Sequence, residues 1–500
     1  MDRATLNMGI VIEQPTKAYL HGTTCLLFPD GFVVEDNAIR GLSQRFDLDD
    51  ADERLITREV SLDSIALMTS YELESSPSMV LGSIMVGVFG GILTPLSIYC
   101  LACPKCCFGS CPTVHIDSGF GYEMIAELFS SNISRYHQDN DIDLLSDAII
   151  DNDIYEIRLT NEALETHYIN QLSLAAVRHP AGTSVFATSD NQPVIFQSLS
   201  TPSAAENRIG TDVLFQIRDK DDGWYRSDST MVEQIKEGML SDWIDLTLPV
   251  PAGSSAVNLV VRMRNTLMGT ILFYDLVLAS QGIEALNWIE RINSDEQYSD
   301  QFYRMYDRFS GIEVQLYEDG LWQTQARITD TGPIAWSERA VQIPVRSDHD
   351  EEMTVRLQFF PDYFMIDTVF FDVVSDATIP ADVAWVRPSR ILDYSGAERN
   401  DILNLIEEID DTFLITEPGE EYRLLYEITP APDEMTAVFL KSAGYYTEWL
   451  RGDWITNEPT AYQFNLLKLN ETIQALADSW LENRALMERT FFQSKIPVRK

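Results

Sequence analysis

Alternation of apolar and polar residues, with a period of two, dominates the chain. In KAYLHGTTCLLFPDGFVVEDNAIRGLSQRFDL and REVSLDSIALMTSYEL the alternating runs are separated by a Pro-Asp-Gly turn at 29–31, so residues 15–75 predict a small β unit, taken as 1–77. TVHIDSGFGYEMIAELFSSNI and DIYEIRLTNEALETHYINQLSLAAVRHP predict further strands, giving a β-rich domain over 105–205. EEYRLLYEITPAPDEMTAVFLKSAGYYTEWL adds a β segment within 391–455, after the helical GAERNDILNLIEEI.

Between these regions runs an internal repeat of about 95 residues. VLFQIRDKDDGWY at 213–225 matches IEVQLYEDGLWQT at 312–324, WIDLTLPV matches WSERAVQIPV, VNLVVRMR matches MTVRLQF, and LFYDLVL matches VFFDVV. Asp-Gly between alternating runs is a hairpin signal, and the other runs are short, β-branched and aromatic. The fold expected is therefore mainly β, with tandem antiparallel sandwiches of jelly-roll or galactose-binding-like type at 206–281 and 311–390. GIEALNWIERINSDEQYSDQFYRMYDRF has helical spacing and predicts a helical insert at 282–310. A C-terminal helix over 456–500 follows from one apolar face through Phe464, Leu467, Ile473, Leu476, Trp480 and Leu486, a stripe typical of core packing or helix pairing.

One segment breaks the alternation. MVLGSIMVGVFGGILTPLSIYCLAC, Met79–Cys103, has 25 residues and no charge, enough at 1.5 Å rise per residue to span a hydrocarbon core of about 30 Å. It predicts a transmembrane helix at 78–104, with a glycine-rich buried hairpin as the alternative. Ser83, Gly87 and Gly91 recur every four residues and form a small-residue face suited to another helix. The start of the chain lacks a basic end, apolar run and cleavage site, so no signal peptide is read there. Lys105 alone flanks the apolar run, which leaves orientation weakly specified; the cysteines and β-rich character favour a single pass with the C-terminal region periplasmic or extracellular.

The net charge of −42, from 78 acidic against 36 basic residues, repels phosphate backbones and excludes nucleic acid as a partner. The acids are spread along the chain, which reads as a solvated surface suited to high salt rather than a cation store or a docking face. Five of six cysteines fall in CLACPKCCFGSCP at 100–112. Cys100-x2-Cys103-x2-Cys106 resembles the start of a ferredoxin run, but Ser110 stands where the fourth ligand belongs. Zinc on Cys103, Cys106, Cys107 and Cys111 lacks the paired-knuckle spacing. Disulfides suit a turn outside a membrane, with Cys107–Cys111 first and Cys103–Cys106 second. Cys100 and Cys25 read as buried thiols.

No nucleophile elbow, P-loop, dinucleotide fingerprint or H-E-x-x-H accompanies the six histidines, so nucleotide enzymes and common zinc peptidases are disfavoured. Asp219, Asp221 and Asp222 in DKDDG, and the acids of DNDID at 139–143, are dense enough for calcium but fall short of an EF-hand loop, and a solvated turn is the competing reading. Trp224 and Trp322 follow Asp-Gly turns and offer either sugar platforms or core anchors.

CFGSCPT, the Asp-Gly-aromatic stretch after it and EALETHYI resemble uncharacterised bacterial envelope proteins, in which a small β unit and an apolar segment precede a large β-rich region. The resemblance covers about residues 15–450. It implies membrane association and an exported C-terminal region, without an activity or a cofactor. The expectation is a non-enzymatic, membrane-anchored envelope protein, a scaffold or accessory subunit meeting membrane-complex partners through its transmembrane and C-terminal helices. The alternatives are a glycan-binding or glycan-processing surface protein and a metal or redox module at the cysteines.

Overall fold

The computed structural model describes residues 10–12, 16–20, 24–28, 31–35, 37–46, 56–70, 111–119, 121–138, 140–145, 153–221, 223–329, 331–346, 351–374, 383–429 and 435–449, together with 473, 477, 480, 481, 484, 485 and 488. The expected membrane helix, its Ser83, Gly87 and Gly91 face, and Cys100, Cys103, Cys106 and Cys107 lie outside the described residues. Among the described residues no helix is long and apolar enough to cross a membrane.

The fold is mainly β, as the alternation predicts, and its sheets are antiparallel apart from the short parallel pairing of Ser184–Thr188 with Ser337–Pro344. Residues 10–70 form one seven-stranded sheet. Its strands Thr16–Leu20 and Cys25–Phe28 are buried on both faces. Ala18, Leu26 and Phe28 close a local core with Phe32, Val34 and Ile39, while Tyr19, Cys25 and Leu27 join the main core of the molecule. On that second face Lys17 is also buried, donating to Thr166 Oγ1 at 3.0 Å, facing Glu417 at 3.6 Å and lying 3.7 Å over the Trp449 ring. The alternation thus gives the sheet two uses: one face for its own core, the other for docking.

The remaining strands are not arranged as tandem units. One sandwich draws its strands from both sides of a long insertion. Its first sheet runs Arg390–Asp393, Glu421–Glu427, Ile154–Thr160, Thr113–Asp117, Tyr122–Glu127. Its second runs Asp141–Leu145, Met435–Glu448, Glu165–His179, Trp385–Val386, with Leu414–Thr416 also paired to Glu165–His179. The segments expected as separate units at 105–205 and 391–455 meet in this single body, the first only through its strands up to His179, because Glu165–His179 pairs with Met435–Glu448 from Glu165↔Glu448 to His179↔Met435, while the strands from Ser184 to Asn207 belong to the insertion.

The inserted sandwich, residues 184–374, corrects the repeat. One sheet runs Pro193–Phe196, Ser184–Thr188, Ser337–Pro344, Ala256–Asn265, Phe364–Val374; the other runs Ala204–Asn207, Asp242–Pro249, Glu352–Phe359, Ile312–Glu318, Leu321–Ile328. Both stretches read as repeats supply strands to both sheets, so 206–281 and 311–390 make one sandwich rather than two. WIDLTLPV and its match WSERAVQIPV fall in different sheets. Two matched runs are not strands at all. Leu214–Ile217 is a helical turn, with Val213 and Ile217 buried at i, i+4 spacing and Phe215 70% exposed, where a strand would put 213, 215 and 217 on one side. Leu272–Leu278 continues the helix Leu267–Ile271 as a π-helix, burying Leu272, Phe273, Val277 and Leu278. At 319–320 the expected hairpin does form, with φ of 51° at Asp319 and 83° at Gly320, as a tight Asp-Gly turn requires.

The helical insert is present as Ala285–Ser294 and Glu296–Tyr306, the second capped by Asp295, whose carboxylate accepts from the Tyr298 amide at 3.1 Å. Of the C-terminal helix, Ile473, Ala477 and Trp480 are buried, so its apolar face packs on this chain; Phe464, Leu467, Leu476 and Leu486 lie outside the described residues. Trp480 Nε1 (2.7 Å) and Arg484 (3.1 Å) both donate to Asp362 Oδ2, while Arg226 clamps the same carboxylate through two bonds and Glu488 through two more. Asp362 is fully buried. Asp362→Ala takes the shared acceptor from the Arg484 guanidinium and the Trp480 indole N–H and leaves Arg226 with Glu488 alone; we expect a loss of about 3–5 kcal/mol in urea unfolding, with earlier proteolysis of the C-terminal helix than in the parent protein.

Candidate functional site

The segment 128–137 leaves the strand Tyr122–Glu127 and is pinned from both sides. Tyr303 Oη donates to Ser131 O at 2.9 Å and accepts from the Ile133 amide at 3.0 Å; Ser134 Oγ donates to Ile292 O at 3.0 Å. From the other side, the Tyr446 amide and hydroxyl donate to Asn132 O and Ser130 O, each at 2.9 Å. Phe129 adopts a φ of 36° and packs against Gly444, where an added Cβ would collide with its ring. Just upstream, the Glu127 carboxylate accepts from the amides of Ile334 (2.6 Å) and Ala335 (2.8 Å), fastening the inserted sandwich to the outer one.

Among the hollows that border this pinned segment, three bear on chemistry. The largest, of about 420 Å³, opens between the two sandwiches and is lined by Asn132, Asn140, Asp141, Ser189–Gln192, Thr329, Trp385 and Lys441. A second, of about 330 Å³, meets it at Ser131, Asn132 and Thr329 and carries His137, Asp300, Tyr303, Arg304, Asp307 and Arg327. The third is a small cavity of about 50 Å³ that contains Cys111, Phe273 and Tyr363. The largest cleft sits where a ligand is expected, at a junction of domains, and is far more polar than a site for an apolar ligand. Its chemistry is amides and hydroxyls, the carboxylates of Asp141 and Asp190, one indole and one ammonium: Lys441 Nζ stands 5.1 Å from the Trp385 ring, and burial lowers its pKa.

At the edge of this cleft Arg339 bridges Asp141 (2.8 Å) and Asp143 (3.2 Å) and also donates to Ile142 O. Burial, and then the Asp141 carboxylate, push the Asp143 carboxyl up to about 8 against the pull of Arg339. Protonation leaves one carboxylate for one guanidinium, the neutral combination that a buried site favours. Asp141 and Asp143 belong to DNDID and share the Arg339 guanidinium, while its third acid, Asp139, lies outside the described residues. In DKDDG, Asp219 pairs with Arg218 at 2.8 Å and Asp221 accepts from the Gly223 amide at 2.6 Å; Asp222 lies outside the described residues. Among the described residues no group of three metal-binding side chains occurs.

The cysteine reading is corrected at its one described member. Cys111 is a free thiol, not half of a Cys107–Cys111 disulfide; it points into the core and donates to Ser130 O at 3.5 Å. Burial, then Glu127 and Glu165, hold its pKa well above the usual thiol value, so the free thiol stays protonated and is a poor nucleophile.

Trp224 and Trp322 do not form one platform. Trp322 belongs to a ladder across the outer face of one sheet. Arg356, held by Asp245 through bonds of 2.7 and 2.9 Å, lies 4.1 Å from the Trp243 ring and 3.9 Å from the Trp322 ring; Tyr317 covers Trp322 further at 5.0 Å and Arg208 covers Trp243 at 5.7 Å. The indole faces are thus occupied by guanidinium and phenol, which makes Trp322 an anchor. Trp224 stands elsewhere, 38% exposed and tilted against Trp336 at 6.2 Å.

A serine, a histidine and an aspartate do meet: His137 contacts Ser299 Oγ through Nδ1 at 3.2 Å and Asp300 through Nε2 at 3.3 Å. Ser299 is fully buried and also bonds Ser134 Oγ at 2.8 Å, so it braces the segment 128–137 and is closed to a substrate. Among the other described histidines, His167 is buried against Thr416 at 3.1 Å with its pKa lowered by desolvation to about 3, so it is neutral. Sequence reasoning missed Trp385 and Lys441, which lie in separate strands and are joined only by the pairing of Glu165–His179 with both.

Two measurements follow. Arg356→Lys keeps the charge but loses the planar stack and the bidentate bond to Asp245, and is expected to cost about 1–2 kcal/mol in chemical denaturation. The raised Asp143 pKa means that the folded state holds a proton the unfolded state releases near pH 4; its stabilising effect is full below about 4 and is lost as pH rises to about 8. Asp143→Asn lacks this loss, so its stability relative to the parent rises between pH 5 and pH 8 in urea titrations. No protein-family model matches the chain and no curated protein matches its sequence, so the case for function rests on the cleft between the sandwiches.

Proposed function

We propose that this protein is a membrane-anchored envelope protein that binds carbohydrate, without turning it over, in the cleft between its two sandwiches. The observation that carries this reading is the lining of the 420 Å³ cleft: Asn140, Asn191 and Gln192 amides, Ser189 and Thr329 hydroxyls, the Asp141 and Asp190 carboxylates, the Trp385 indole and the Lys441 ammonium. A sugar presents hydroxyls that both donate and accept, together with C–H faces. Side-chain amides and hydroxyls also do both, and an indole offers an apolar surface beside them.

Binding rather than turnover is favoured by how the titratable groups are used. Both ring nitrogens of His137 are engaged by neighbours, and Asp141 and Asp143 are tied to Arg339. Anchoring is supported by the charge-free run Met79–Cys103, and the large C-terminal region is assigned to the periplasmic or extracellular side, in line with the resemblance to envelope proteins. The scaffold or accessory-subunit role expected from sequence is compatible with such binding. The buried residues of the C-terminal helix are used within this chain, so partners in a membrane complex fall to the small-residue face of the apolar run and to the cleft's glycan.

The test is a glycan array followed by titration of tryptophan fluorescence with the glycans retained. Trp385→Ala is expected to lower affinity by about tenfold or more, the equivalent of one or two lost contacts. Trp322→Ala removes an anchor outside the cleft and is expected to leave affinity as it was while lowering thermal stability. Array silence, or binding lost with Trp322 and kept with Trp385→Ala, removes the proposal.

A further inference from the structure

We infer that the 420 Å³ and 330 Å³ clefts are successive subsites of one groove for an uncharged oligosaccharide chain. This inference rests on the carbohydrate reading and extends it from a single sugar to a chain of linked sugars.

Three observations carry it. First, the two clefts share Ser131, Asn132 and Thr329, so one wall serves both, and a ligand leaving the first cleft along that wall enters the second. Each volume alone lies near the lower end of small-molecule sites, at about 300–1,000 Å³. Second, the shared wall is fixed before any ligand arrives. Ser131 and Asn132 lend their carbonyls to Tyr303 and to the Tyr446 amide, and the His137 ring stacks on Tyr303 at 4.0 Å. A prebuilt wall lowers the ordering cost of binding along its whole length.

Third, the charges of the second cleft are balanced internally while donors remain. Arg304 faces Asp300 at 3.8 Å and Arg327 faces Glu313 at 3.8 Å, beyond hydrogen-bonding distance, and Arg327 also donates to Asp307 O. A guanidinium has five N–H groups, so each arginine keeps donors for hydroxyl oxygens, while Asp300 and Asp307 offer acceptors. With paired charges on the wall and a net −42 on the chain, a polyanionic glycan gains little there and is repelled from a distance; a neutral chain is not.

The experiment is calorimetric titration of the intact protein with neutral gluco-, manno- and xylo-oligosaccharides of one to six units, beside oligogalacturonates of the same lengths. The expected result is affinity for at least one neutral series that rises about tenfold or more from one unit to four, as contacts of the second cleft are added. Arg304→Ala, at a side chain 72% exposed, is expected to reduce tetrasaccharide affinity by about tenfold with unfolding unchanged. Affinity that is Trp385-dependent but flat with chain length overturns the groove and leaves the single-sugar reading standing. Preference for the galacturonates overturns the neutral class. Absence of binding to every series, with a silent array, overturns both readings together.

Discussion

The antiparallel pairing of Glu165–His179 with Met435–Glu448 closes a loop that carries the inserted sandwich, residues 184–374, and then four further strands of the outer sandwich itself. The cost of closing so long a loop grows only by about 0.6 kcal/mol for each doubling of its length, so an intervening sandwich that folds on its own terms is tolerated. The strand Glu165–His179 is buried along nearly its whole length, so both faces of the sheet are covered there. A bulge between Ile169 and Gln171 shifts its register, and Gly444 opposite Ile169 leaves room for Phe129. Tyr446, two residues further on, then holds Asn132 and Ser130. The wall of the cleft is in this sense an outgrowth of the closing pair.

The joints between modules are made by cations, in a chain with fewer than half as many basic as acidic residues. Lys17 fastens the N-terminal sheet to the outer sandwich, Arg339 the inserted sandwich to the outer one, and Arg226 the C-terminal helix to the inserted sandwich. All three lie buried or largely buried, where removing one partner of an ion pair is costly even if the pair itself adds little net stability. Apolar contacts supply the bulk of the core without specifying which surface meets which. The buried charges do specify it, because only one docking leaves each of them with a partner. At these joints the buried cations meet carboxylates that are themselves wholly or largely withdrawn from water, Asp143 and Asp362 among them.

Period-two alternation made the β class and most strand positions legible, along with the helical insert and the Asp319–Gly320 turn. Residue spacing failed where similar apolar content served different geometry: VLFQI and LFYDLVL carry the same residue types as their strand matches, but bury them at helical intervals. Nesting was illegible because nothing local marks a strand whose partner lies beyond an inserted domain. The cleft was hidden for the same reason, since Trp385, Lys441 and the Ser189–Gln192 turn meet only after the long pairing forms. Trp322 was conspicuous beside its Asp-Gly turn, but what it does depends on Arg356 and Trp243, which its neighbours in sequence do not reveal.

The two tryptophan environments explain why exposure alone is a poor guide to recognition here. On the outer sheet face, a guanidinium fills the space between two indoles and a carboxylate holds it there, so a sugar would have to displace a cation–π contact and gain no more than it removes. Trp385 has the Lys441 ammonium nearby, at a greater ring distance, with its charged form already disfavoured by burial. Hydroxyls brought to that ammonium replace water it has partly lost, so ligand and lysine cooperate where ligand and Arg356 would compete. That difference in what an arriving polyol must give up favours the cleft between the sandwiches as the place for the recognition we propose, and leaves the aromatic ladder to hold its sheet together.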